Sequence, residues 1–144
     1  MAQFKVVIGD PKTGKCVQKE VADDAAAEFL GLKIGDTIKG DSFDLSGYEF
    51  QITGGSDDCG VPMRKDVPEI QRKRIYAVEG VGIKRKIKIT KKGDRKIRRK
   101  RHGVKQRKLV VGNTIYEKTA QINLKVLKSG SKPLFEAAPA PEQK

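Results

Sequence analysis

The chain has 144 residues, with 31 Lys or Arg against 18 Asp or Glu and a formal net charge of +13. That length favours one domain, and an apolar share of 37% supports a modest core, but no run approaches the roughly 18 apolar residues of a membrane-spanning helix. Cys16 and Cys59 are the two cysteines and His102 is the one histidine, an inventory that excludes a disulfide framework and a Cys/His zinc site.

Met1-Ala2-Gln3-Phe4-Lys5 leads into a strand with no secretory apolar region, so an intracellular, non-secreted protein is expected. Valine and isoleucine number 24 against 7 leucines, a bias toward half-buried pleated structure. Phe4-Lys5-Val6-Val7-Ile8 and Cys16-Val17-Gln18-Lys19-Glu20-Val21 read as two strands joined by a turn. The turn, Gly9-Asp10-Pro11-Lys12-Thr13-Gly14-Lys15-Cys16, nearly matches a phosphate-binding loop, G-x-x-x-x-G-K-(S/T). It ends on a thiol where a magnesium-ligating hydroxyl is needed, and the next residues alternate like a strand where phosphates need a helix N-terminus. A hairpin loop is expected instead.

A short helix is expected with Asp23 or Asp24 as N-cap, Ala25 to Leu30 as the body and Gly31 as the stop. Residues 34–40 read as a short strand and 48–53 as a clear one, after which 54–60 reads as a flexible loop. Asp57 and Asp58 in that loop lack the alternating oxygen ligands and distal glutamate of a calcium loop. Cys59 has no histidine–carboxylate constellation to activate it, so both thiols read as free and inert. Residues 74–78, 83–89, 109–111 and 120–127 supply further strands. The sum is a mainly β fold, with small antiparallel sheets in a barrel-like core, in one lobe or two, one or two short helices and a basic extension. A single domain over 1–134 and a disordered tail over 135–144 are expected.

Charge is unevenly placed. Residues 84–108 hold 15 basic residues and one acid, Asp94, whereas the rest of the chain holds 16 basic and 17 acidic residues. A solvated face would mix both signs in this way only outside that segment. Inside it, a net of +14 repels itself and calls for a polyanion. Residues 82–108 carry no aromatic residue and no wide apolar stripe, which favours nucleic acid over a membrane surface. Gly93-Asp94 and His102-Gly103 divide the segment into two basic runs joined by turns.

Gly54-Gly55-Ser56-Asp57-Asp58-Cys59-Gly60-Val61-Pro62-Met63-Arg64 resembles the signature Gly-Gly-x-Asp-x-x-Gly-(Phe/Val)-Pro-Met-(Lys/Arg) of ribosomal protein S-six-e, a small-subunit protein of archaea and eukaryotes. Thr90-Lys91-Lys92-Gly93-Asp94-Arg95-Lys96-Ile97-Arg98-Arg99-Lys100 resembles the family's basic run, and residues 112–126 resemble its terminal strand pair. The similarity spans about Phe4 to Gly130 and is to the short archaeal form, without the long basic helix and serine-rich tail of eukaryotic members. Val61 replaces the commoner aromatic before Pro-Met.

The resemblance implies a non-enzymatic structural constituent of the cytoplasmic ribosome, docked on small-subunit ribosomal RNA and beside neighbouring ribosomal proteins. No cofactor, metal, membrane or small-molecule substrate is expected. The competing binding reading is a chromatin-like DNA-coating protein, and a nucleotide hydrolase built on 9–16 is the third. Candidate RNA-contacting residues are Arg64 and Lys65, then Arg72, Lys73 and Arg74. Those of the basic segment are Lys84, Arg85, Lys86, Lys88, Lys91, Lys92, Arg95, Lys96, Arg98, Arg99, Lys100, Arg101, His102, Lys105, Arg107 and Lys108. Pro62 and Met63 are expected to anchor in the core, with Arg64 and Lys65 facing RNA.

Overall fold

The computed structural model describes residues 3–83, 86–91, 94–99, 103–130 and 134, with residue 23 and the spans 86–91 and 94–99 described through their backbone alone. Strand β1 (Gln3–Gly9) alternates strictly, burying Phe4, Val6 and Ile8 while Lys5 stays in solvent. Period-2 alternation of this kind puts one whole face of a strand into the core. It pairs antiparallel with β2 (Cys16–Ala22) through a register running from Gln3 opposite Ala22 to Gly9 opposite Cys16. The connecting turn is the expected hairpin. Its Asp10 carboxylate accepts the Lys12 N–H and the Thr13 hydroxyl, both at 2.9 Å. Gly14, at φ +69°, supplies the left-handed residue that closes it.

The helix is shorter than expected. It occupies Asp23–Ala27 as α1, with Ala22 in the N-cap position and no side-chain cap. The reason is β2, whose pairing runs through Ala22 and leaves no room for an aspartate cap before the first helical residue. The chain then turns, burying Phe29, and reaches Gly31, whose N–H bonds Ile115 O at 3.0 Å. Strand β3 (Thr37–Lys39) follows and pairs antiparallel with β4 (Glu49–Asp57). A 3-10 turn over Asp41–Phe43 lies between them and buries Phe43.

Strand β9 (Thr119–Lys128) closes the main sheet in the order β2-β1-β9-β4-β3. Two expectations are corrected here. The sheet is mixed, because β1 and β9 run parallel with Val6 opposite Ile122. It is also open, with β2 and β3 at its edges, and no closed barrel forms among the described residues. Hairpin logic predicts antiparallel neighbours, but β1 and β9 come from opposite ends of the chain, where no tight turn dictates direction.

The core lies on one face of this sheet, where Phe4, Val6, Ile8, Phe50, Ile52, Ile122, Leu124 and Val126 meet Ala26, Phe29, Phe43 and Tyr48. Its rings form a continuous chain. Phe4 meets Phe29 at 6.3 Å, Phe29 meets Phe43 at 5.8 Å, Phe43 meets Phe50 at 5.5 Å, and Tyr48 stacks on Phe50 at 5.6 Å. These separations and tilts lie in the favourable range for aromatic pairs.

Two smaller sheets complete the fold. Strand β5 (Arg72–Ala77) pairs antiparallel with β8 (Gln106–Val111), and β6 (Lys86–Lys91) pairs antiparallel with β7 (Asp94–Arg99).

Candidate nucleic-acid interface

Residues 54–57 are not a loop. Strand β4 runs on through Gly54, Gly55 and Ser56, which pair with Asn123, Ile122 and Gln121 of β9 after a bulge at Thr53. A Cβ on Gly55 would stand 2.4 Å from Gln121 O, so only glycine lets the two backbones meet at this point. The strand delivers Asp57 into the interior, 2% exposed, and the chain then reverses through Cys59 and Gly60.

The Asp57 carboxylate has a complete set of donors. One oxygen accepts the Cys59 N–H at 3.0 Å and the Val61 N–H at 2.8 Å, and the other accepts Arg72 Nε at 2.6 Å. The same guanidinium reaches the Asp58 carboxylate at 2.6 Å. Hydrogen bonding to Asp57 pushes the Arg72 guanidinium above its ordinary pKa. Burial, with the Asp57 charge behind it, pushes the nearby Tyr116 phenol up as well. Arg72 is thus engaged as a bidentate tie between β5 and the end of β4, the fork geometry that arginine supplies and lysine does not.

Beyond the tie, Met63 is buried, with its N–H on Gly55 O at 2.9 Å, and it bridges to Val111 at the inner end of β8. Pro62 is half-buried. Arg64 is held too. It meets Asp66 through Nε at 2.7 Å and Nη2 at 2.6 Å, and donates to Val81 O at 3.2 Å. Its side chain is only 14% exposed, and its bond holds the Asp66 carboxyl below the ordinary range. Lys65, the next residue, is exposed.

The remaining candidates fall on the two-stranded ribbons. Arg74 on β5, Arg107 and Lys108 on β8, and Lys105 just before β8 are exposed, while Lys73 on β5 pairs with Glu69 at 2.7 Å. Lys86, Lys88 and Lys91 lie on β6, and Arg95, Lys96, Arg98 and Arg99 lie on β7, in a register from Lys86 opposite Arg99 to Lys91 opposite Asp94. The pairing sets residues 86–91 and 94–99 side by side as an antiparallel hairpin. Lys84, Arg85, Lys92, Lys100, Arg101 and His102 lie outside the described residues.

Tyr76 is a residue that charge reading missed. It stands 67% exposed on β5, with the Arg107 guanidinium 5.8 Å from its ring centre. The alternation Arg74-Ile75-Tyr76 was its available signal, since it sets Arg74 and Tyr76 on one face. Cys16 and Cys59 are both free thiols, and among the described residues no cluster of His, Cys, Asp or Glu is arranged to hold a metal.

The combination of a glycine-dependent strand end, a buried Met63 after a half-buried Pro62, and strongly basic strands has a counterpart in known sequences. A family model described as Ribosomal protein S6e matches residues 4–138. This chain belongs to that family. Its relatives include proteins named small ribosomal subunit protein eS6 from three organisms. That of Methanocella arvoryzae is 38% identical, spanning all of this chain and 92% of the relative. That of Archaeoglobus fulgidus is 42% identical over 93% of this chain and 94% of its own length. That of Methanothermobacter thermautotrophicus is 41% identical over 97% of this chain and 98% of its own length. The S6e resemblance seen in residues 54–64 therefore extends through the sheet and both ribbons.

Proposed function

We propose that this chain is a structural, non-catalytic constituent of the small ribosomal subunit in the cytoplasm, where it binds ribosomal RNA through residues 84–108 and packs beside neighbouring ribosomal proteins. The observation that carries the binding reading is a division of charge by architecture. The five-stranded sheet and its covering turns come from chain segments of near-balanced charge, whereas a segment of net +14 forms β6, β7 and the entry to β8.

In this reading the main sheet is a mount. The basic hairpin lies along RNA helices and neutralises phosphates, with Arg95, Arg98 and Arg99 able to fork onto two phosphate oxygens at once. Recognition is of backbone and shape, because the deep groove of A-form RNA hides its base edges. Lys65, Arg74, Lys105, Arg107 and Lys108 extend the same cationic surface, while Arg64 and Arg72 act as internal ties that hold it in place. The names of the relatives support the ribosomal assignment, and the charge distribution supports the choice of RNA as ligand.

The test is a titration of small-subunit ribosomal RNA at several salt concentrations, beside sucrose-gradient sedimentation of a lysate. Each phosphate contact contributes a slope of roughly 0.7 to 0.9 in log affinity against log salt, so engagement of about half the cations gives roughly −5 to −7. A slope near zero, or absence from the small-subunit peak, refutes the proposal. Equal affinity for duplex DNA together with absence from ribosomes favours the chromatin-like reading.

A further inference from the structure

The ribbon formed by β5 and β8 has a face that phosphate binding alone does not explain. The register sets Arg74 opposite Leu109 and Tyr76 opposite Arg107, so these four side chains share one side. That side is open. Tyr76 is 67% and Leu109 is 40% exposed, and Arg74 and Arg107 are exposed beside them. At the inner end of the ribbon the same strands bury Val110 and Val111. The exposure is therefore a local property of the outer end, next to the point where the basic segment enters β8.

A tyrosine ring carries enough apolar surface to dominate an interface when covered. Left in water beside two arginines it contributes nothing to the core, where five other aromatic side chains already pack together. The chemistry it presents is a π-face flanked by planar guanidinium groups. Unpaired nucleobases stack on such faces, and a neighbouring arginine can bind the adjoining phosphate. An acidic protein would suit the charges, but it would leave the flat ring–guanidinium arrangement without a matching surface.

We propose that Tyr76, with Arg107 on its ring and Arg74 alongside, forms a stacking platform for an unpaired base of ribosomal RNA. The inference rests on the RNA-binding reading above and adds a preference for looped over fully paired RNA. It gives the protein two modes of contact. The hairpin reads backbone, and the ribbon face selects a place where a base is free to leave its helix.

The chain has no tryptophan and three tyrosines, so its near-ultraviolet emission reports on tyrosine alone. Tyr48 is buried and Tyr116 is half-buried, which leaves Tyr76 as the exposed reporter. The full chain is titrated with an RNA hairpin carrying a loop of unpaired adenines and with a plain duplex of the same stem. Wild type is expected to bind the looped RNA about tenfold more tightly, within the usual worth of one stacked base, and to lose tyrosine emission as it does. Tyr76→Phe should keep the preference and lose the emission change. Tyr76→Leu should lose the preference, keep the duplex affinity and keep the melting temperature, since the position is open to solvent. A loop preference that survives Tyr76→Leu overturns the proposal and transfers the exposed ring to a protein neighbour. Equal, salt-sensitive binding of both RNAs by wild type overturns the stacking platform while leaving phosphate binding intact. Binding of neither RNA overturns both.

Discussion

The five-stranded sheet and the β6–β7 hairpin are both made of β-strands, but they are stabilised in different ways. In the sheet each strand is fixed by what it buries. Phe4, Val6 and Ile8 of β1 face the core in step with Ile122, Leu124 and Val126 of β9, so a one-residue slip would expose the whole set. Among the described residues the hairpin strands pair only with each other, and seven of their twelve residues are lysine or arginine. Its register even sets Lys86 opposite Arg99. A lone two-stranded hairpin is marginal in water, and like charges opposite one another weaken it further. One region carries its stabilising partner inside the molecule, and the other is suited to a partner of opposite charge.

The sharpest way to break that contrast is to remove charge from the hairpin region. Replacing Arg95, Lys96, Arg98, Arg99, Lys100 and Arg101 by glutamine should lower RNA affinity by a hundredfold or more at low salt. The salt slope should become shallower by roughly two to three units, as expected if half of these cations release counterions. The melting temperature should stay near wild type, which a thermal melt run beside the titration checks. A large loss of stability would mean that the hairpin belongs to the packed region after all.

The opposite effect is expected from Asp57→Ala. Removing that buried carboxylate leaves Arg72 and the Cys59 and Val61 N–H groups without their shared acceptor. Breaking a buried pair from one side costs about 3 kcal/mol, readable as a shifted denaturant midpoint, with the RNA salt slope unchanged. Met63→Ala should cost slightly less, about 2 to 3 kcal/mol from lost burial and an unfilled cavity. It too should leave the slope alone, and chemical denaturation beside the salt titration separates the two quantities.

The contrast was legible in the sequence to different depths. Alternation exposed β1, β2 and β9, and turn chemistry correctly turned the phosphate-loop lookalike at 9–16 into a hairpin. The Gly-Gly-Ser stretch in β4 reads as a loop because its reason for being glycine is Gln121 O, which belongs to a strand far away in sequence. The parallel pairing of β1 with β9 was hidden for the same reason. Among the charged residues, the carboxylate partners of Arg64 and Arg72 are not legible in the sequence, because only the fold brings Asp57 and Asp58 to Arg72 and turns Arg64 onto Asp66. Tyr76 was passed over because one aromatic in a strand usually belongs to a core, and only its exposure says otherwise.

The smallest effect expected is on pH dependence. The bond from Arg64 lowers the Asp66 pKa in the folded protein. The stability it contributes is therefore fully present above the unfolded-chain value of about 3.9 and is lost as pH falls through the lowered folded value. Because Asp66 is 65% exposed, solvent screens most of this effect. Asp66→Asn should flatten the acid limb of a stability–pH profile slightly and leave neutral RNA binding unchanged, which urea melts from pH 3 to 7 would register.

The position of β9 also has a consequence for the order of events during synthesis. This last strand is the middle one of the main sheet, between β1 and β4. Until residues 119–128 have emerged, β1 and β4 each have an unpaired edge, and the apolar faces of both wait for their central neighbour. The basic hairpin, at residues 86–99, leaves the synthesising machinery earlier. Contacts this distant in sequence close slowly, because a long loop must be ordered before they form. A nascent chain therefore presents its cationic hairpin and open strand edges before its core can close, a window in which early neutralisation by a polyanion would keep it soluble.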